Sequence, residues 1–184
     1  MLISRRPQSG ASLIELMIGL VILAIVLSFG VPVFGTWIAN TRIRAAAEAI
    51  YNGIQLARAE AVRRNNSVQV AFGAGASTWT ASVANTGEIV QERSAEEGSS
   101  NTAITFSPGG ASTLTFNALG RVAANLDGSP AITEVKIDST SVSAADSREL
   151  CVMVSTAGVA RLCDPQLATT DPRGCLPAVP AGCL

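Results

Sequence analysis

A carboxylate stands at the head of the longest apolar run in the chain. Glu15 precedes LMIGLVILAIVLSFGVPVFGTWIAN, and no further charge appears until Arg42. Roughly 20 apolar residues suffice for a helix to cross a bilayer core, which places Glu15 inside the membrane near one end of the span. An unpaired carboxylate at mid-membrane costs about 2.5–3.5 kcal/mol, so an intramembrane acid is read as functional. The chemistry on offer is charge pairing, since a buried carboxylate needs a cationic partner in low dielectric. Arg5 and Arg6, just before the run, predict that its N-terminal end stays cytoplasmic. A secretory signal peptide or plain anchor accounts for the apolar run but gives no reason for Glu15. Moreover, the small residues between Gly30 and Gly35, where a signal peptidase would cut, are interrupted by Pro32 and Phe34.

The other reactive side chains are four cysteines, Cys151, Cys163, Cys175 and Cys183, all in the last quarter of the sequence. There is no histidine, which removes imidazole general bases, His-based triads and imidazole metal ligands. Wide spacing without a CxxC pair argues against a metal site, and no cofactor is expected. An even cysteine count behind an export-type N-terminus suggests disulfides made in an oxidising compartment. Ser, Asp and Glu are scattered without an activating base or a glycine-rich phosphate cradle, so the sequence points away from an enzyme. Twelve of the 13 basic residues are arginine, and the net charge is −1, which carries no bulk signal for nucleic acid.

The elements that must position these groups follow from periodicity. Apolar residues recur at Ile43, Ala47, Ile50, Ile54, Ala57 and Ala61, the stripe of an amphipathic helix. A coiled-coil seam is the competing reading, but the stripe covers under three heptads and is rich in alanine. One helix is expected over residues 12–64, about 80 Å long at about 1.5 Å per residue. Its membrane-spanning part should cover about 16–37, with Pro32 kinking or locally melting it. Trp37 falls near the expected outer interface, where indole rings prefer to sit, and simple packing accounts for it equally well. Arg58, Arg63 and Arg64 lie near the helix end, where cations offset the macrodipole.

From Asn65 onward, Ser, Thr, Gly and Val take over. Short β-branched or alternating runs appear at Ser67–Phe72, Trp79–Val83, Glu88–Gln91, Ala103–Phe106, Thr113–Phe116, Thr133–Ile137, Glu149–Val154 and Gly158–Cys163. They predict a compact antiparallel β domain over 65–184, ending in a cysteine-containing tail. Ser94–Asn101 and Ala123–Pro130 read as exposed loops. The last two runs form a hairpin around Thr156-Ala157-Gly158, in which Cys151 faces Cys163. Of three possible connectivities, that register favours Cys151–Cys163 and leaves Cys175–Cys183 to close the tail.

The string SGASLIELMIGLVILAI, Ser9 to Ile25, resembles the type IV prepilin leader, G-[F/A]-[S/T]-L-[I/V]-E-[L/V]. The resemblance implies a leader over residues 1–10, cut between Gly10 and Ala11 by a prepilin peptidase that also N-methylates Ala11. Ala11 stands where such proteins usually have Phe. Cleavage frees an α-amine one helical turn from Glu15, since residues i and i+4 share a face. The amine of a neighbouring subunit can then neutralise Glu15, and a wrong axial register would leave the acid unpaired.

Three further passages, RIRAAAEAIYNGIQLARAEAVRRNNSVQV, LTFNALGRV and LCVMVSTAGVARLC, resemble the GspH/FimT family of minor pilins and pseudopilins. What this implies is an α+β, pilin-like fold: a long N-terminal helix packed on an antiparallel β domain. It also implies a single-pass protein of the bacterial inner membrane, with a periplasmic C-terminal domain, that joins a pilus or pseudopilus. Its partners would be other minor pilins or pseudopilins and the major subunit. The function implied is a structural, initiating subunit of a type IV pilus, with pseudopilin H of the type II secretion system as the alternative. Some FimT-type members bind DNA through Gly-Arg-x-Arg, and DNA uptake is the second alternative. Here the string is Gly158-Val159-Ala160-Arg161, which keeps only the second arginine, with Arg148 and Arg173 as helpers. Loss of the leader takes Arg5 and Arg6 and leaves 11 basic residues against 14 acidic, so Arg161 reads first as an arginine on a solvated strand face.

Overall fold

The computed structural model of the chain describes residues 12–73 and 77–183. Two compact units meet between Trp37 and Ile38, and one helix, α1 (Leu13–Arg64), supplies residues to both. Within the first unit, the large apolar residues from Leu13 to Leu27 are all more than half exposed, as a helix facing lipid or other helices must be. This helix is long and apolar enough to cross a membrane. It runs without a break through position 32, so there is no local melting at Pro32, whose side chain lies outside the described residues.

In the second unit the predicted stripe is the core. Ile43, Ala47, Ile50, Ile54, Ala57 and Ala61 are all fully buried. The helix ends in a Schellman motif. Asn65 takes a left-handed φ of 50°, its N–H donates to Val62 O, and Asn66 N–H donates to Ala61 O. In the last turn Glu60 accepts from both Arg63 and Arg64, and Arg64 also reaches Glu88. Hydrogen bonds from Arg63, then Arg64, lower the Glu60 pKa to about 2. The arginines at this end are therefore occupied structurally.

Among the described residues nine strands follow: β1 (Val68–Phe72), β2 (Trp79–Val83), β3 (Ile89–Arg93), β4 (Thr102–Ser107), β5 (Thr113–Phe116), β6 (Val122–Ala123), β7 (Glu134–Ser139), β8 (Leu150–Val154) and β9 (Ala160–Cys163). They form two antiparallel sheets, ordered β3-β2-β1-β5-β6 and β4-β7-β8-β9. Eight of the strands answer the predicted runs. The ninth, β6, has two residues and is too short to show a period. Phe116, Leu114, Ile132, Ile137, Val135 and Val152 are buried with the helix stripe in one hydrophobic cluster.

Helix and first sheet approach closely at Gly53. A Cβ there would lie 2.8 Å from Trp79 Cε2 and 2.9 Å from its Cδ2, inside van der Waals contact with a rigid ring. Gly53→Ala should therefore displace the indole and cost about 1–3 kcal/mol, the usual range for overpacking. Trp79 is 3 % exposed whereas Trp37 is 62 % exposed. Loss of the buried indole would be read as a red shift in tryptophan emission, and an unchanged spectrum with unchanged stability would contradict the packing argument.

Candidate functional site

At the N-terminal end the described chain begins just before α1. Ser12 O accepts from Leu16 N–H, which makes Ser12 the residue preceding the first turn, and Glu15 is the acid in that turn. Ser-x-x-Glu is the capping-box spacing, and negative charge is favoured at a helix N-terminus. Glu15 thus has a local reason to sit here beside the intersubunit role expected from the sequence, a reading that hydropathy alone did not suggest. Gly10 and Ala11, the expected cleavage and methylation positions, lie outside the described residues. A short local bond also marks the apolar segment, where Ser28 Oγ donates to Ile25 O at 2.7 Å.

The second unit is tied to its own helix segment through Asn40. Its Nδ2 donates to Asp146 O at 3.1 Å, and its Oδ1 accepts from Arg148 N–H at 2.8 Å. One side chain therefore clamps both directions of the loop that precedes β8. The sequence signal was slight, since an asparagine in a helix is a poor helix former with no visible partner.

The cysteines lie together, but in a different pairing from the expected one. Cys151 bonds Cys183 and Cys163 bonds Cys175, with Cα separations of 5.9 and 5.0 Å. The predicted hairpin register is correct, since Cys151 is opposite Cys163 and Met153 opposite Arg161. The pairing fails because of which kind of site this is. Ser155 N–H donates to Val159 O, and hydrogen-bonded pairs recur at every second position. Cys151 and Cys163 therefore occupy a hydrogen-bonded pair, whose Cβ atoms stand about 5.5 Å apart, beyond the roughly 3.5–4.5 Å a disulfide spans. Instead the tail turns back. Asp164 N–H donates to Arg173 O, and Asp164 bridges to Gly174, which returns Cys175 to Cys163. The signal was in the sequence: Asp164-Pro165 and Asp171-Pro172 are turn initiators flanking this excursion. Farther on, Gly182 N–H donates to Glu134 Oε2 at 2.8 Å, holding the short helix at Ala181–Cys183.

All four cysteines are buried in a cluster of their own, joined by Met153 and Val179. The sulfurs of Cys151, Cys163 and Cys175 lie within 4.8 Å of one another, but oxidised to disulfides they offer no thiolate to a metal. Non-reducing peptide mapping of the full chain should return Cys163–Cys175 and Cys151–Cys183. A Cys151–Cys163 peptide would contradict this arrangement.

Of the arginines considered for nucleic acid, Arg161 is exposed and its Nη2 donates to Pro172 O at 3.3 Å. Arg148 is exposed, and Arg173 is paired with Asp171 at 3.0 Å. At the helix end, Arg58 Nε donates to Gly120 O at 3.1 Å. These contacts tie the tail and the turns to the domain.

Residues 46–158 match the family described as type II transport protein GspH. Residues 5–31 match the prokaryotic N-terminal methylation motif. No curated protein matches the chain. Among solved structures, the type IV minor pilin FimU of Pseudomonas aeruginosa is 18 % identical with a TM-score of 0.50, over 72 % of this chain and 94 % of that one. The minor pseudopilin EpsH of Vibrio cholerae is 15 % identical with a TM-score of 0.47, over 68 % of this chain and 99 % of that one. At such identities the FimU likeness speaks to the fold alone: one long helix packed on antiparallel sheets.

Proposed function

Because the chain belongs to the GspH family and carries the N-terminal methylation motif, we propose that it is a minor pilin, a structural and initiating subunit of a type IV pilus. The supporting observation is the division of labour along α1. An acid in the first turn is followed by apolar residues left exposed, and the stripe from Ile43 to Ala61 is spent on the chain's own core. The exposed part has the character of a membrane anchor that later packs against other subunits' helices. In this reading a prepilin peptidase removes residues 1–10 and methylates Ala11, Glu15 sets axial register, and Pro32 is a kink that lets the helix adapt between membrane and filament. Other minor pilins and the major subunit are the partners. The inner membrane holds the chain before assembly, and its disulfide-bearing domain lies in the periplasm.

The family description favours one alternative, a pseudopilin of type II secretion, built on the same physics. Deletion separates the two. A minor pilin's loss should abolish surface pili and leave secretion of folded proteins intact. Intact pili with blocked secretion would overturn the pilus assignment in favour of the pseudopilin. DNA uptake has little support, because Val159 replaces one arginine of the Gly-Arg-x-Arg element and Arg161 already bonds within the chain.

A further inference from the structure

The edges of the two sheets are not equivalent. β6 is tied outward where Val122 N–H donates to Thr156 O, and β9 leads into the tail through the Asp164–Arg173 bond. β4 keeps Thr102 and Ile104 buried. β3 has no buried residue among its five and, among the described residues, pairs only with β2. An unpaired strand edge presents a row of amide and carbonyl groups that can template another strand.

Charge decides which strand. Between Glu88 and Glu97 the chain carries four carboxylates and a single arginine. Glu88 pairs with Arg64, and Glu97 with Arg93. Glu92 and Glu96 are exposed without a cationic partner among the described residues, and so is Glu48 on the adjoining helix. Glu48 lines a cavity of about 360 Å³ together with Asn52, Trp79, Gln91 and Arg93. Trp79 and Arg93 are register partners and Trp79 packs on Gly53, so Gln91 and Arg93 share the helix side of the edge. Glu92, the next residue along, belongs to the opposite side. Trp79 Nε1 and Arg93 Nη1 also find no acceptor among the described residues. A second copy of this chain would bring its own carboxylates against these, and like charges set opposite one another are destabilising.

We infer that the free edge of β3 receives an extended, lysine- or arginine-bearing strand of a different subunit, whose alternating side chains meet Glu48 on one face and Glu92 on the other. This rests on the filament-subunit reading and names one of its interfaces. A photo-reactive residue in place of Gln91, in the full-length chain co-expressed with the other pilin-motif subunits of its own organism, tests it. The expected product is a cross-link to another subunit, mapping to a segment that contains a basic residue. Glu92→Lys combined with Glu48→Lys should reduce it by about tenfold, and charge reversal of the mapped basic residue should restore it. A cross-link to a second copy of this chain or to a segment lacking cations would overturn the assignment. So would absence of any cross-link while the chain still co-purifies with those subunits. If the parent chain does not co-purify with them at all, the filament reading falls and the edge assignment falls with it.

Discussion

Glu15→Ala should still insert in the membrane and lose its leader, yet its incorporation alongside partner subunits should drop by more than about tenfold. The magnitude follows from what the substitution leaves behind. Removing one member of a buried ion pair strands the other, at a cost of about 3–5 kcal/mol, and each 1.4 kcal/mol is about tenfold in an association constant. In the proposed filament, the stranded charge would be the neighbour's terminal amine. Insertion, by contrast, should be unharmed, because an apolar helix without the acid partitions into lipid more readily. Two explanations of Glu15 make different predictions for glutamine. As the acid three residues after Ser12 in the first turn of α1, Glu15 has a capping-box role that glutamine would keep. As one half of an intersubunit ion pair it has a role that glutamine would lose. Glu15→Gln should therefore assemble as poorly as Glu15→Ala. Co-purification of both variants with their partners at the parental level would remove the register role, and rescue by glutamine alone would assign Glu15 to local capping.

The largest effect on stability is expected at Gly158. It takes a φ of 80° in the β8–β9 turn, a region that side chains with a Cβ adopt only under strain. The turn is also pressed against its neighbour. A Cβ at Gly158 would overlap the Gly120 carbonyl oxygen and approach Phe116 Cε1 to 3.3 Å. That same carbonyl accepts from Arg58 Nε on α1, while Val122 N–H donates to Thr156 O. Helix, β5–β6 turn and β8–β9 turn thus converge on one peptide group, and the added methyl has no direction in which to move cheaply. Gly158→Ala should cost more than about 3 kcal/mol, the strain and overpacking contributions acting together. Gly128 supplies the comparison, with a φ of 74° and open space around its Cβ position. Gly128→Ala should cost about 1 kcal/mol, the backbone penalty alone. Equal losses for the two variants in denaturant unfolding would show that the crowding at Gly120 is relieved by a small shift.

How far the sequence carried depends on whether a feature is periodic or geometric. The helix stripe was legible because six small or branched residues at helical spacing have one consistent explanation, and all six are fully buried. The hairpin at Thr156–Gly158 was legible because a turn glycine between two β-branched runs fixes register. The disulfide pairing was not, although the register was right. It turned on whether Cys151 and Cys163 form a hydrogen-bonded pair, a matter of backbone phase that side-chain identity does not record. The Asn40 clamp was invisible for a related reason, since its partners are backbone atoms 106 and 108 residues away. β6 and the division into two sheets depend on long-range pairing, and Val122–Ala123 is too brief to announce itself. For the arginines at the helix end the sequence offers the macrodipole as a reason, and the structure adds acceptors: Gly120 O for Arg58, Glu60 for Arg63 and Arg64.

Assembly through Glu15 requires a mature chain that begins just before it, and intact-mass and N-terminal peptide analysis of the purified membrane-derived protein reads this directly. The predicted result is a chain that starts at an N-methylated Ala11 and keeps Glu15 as its fifth residue. A chain that starts beyond Phe34 would have shed the acid together with the apolar helix, and with them the means of joining a filament.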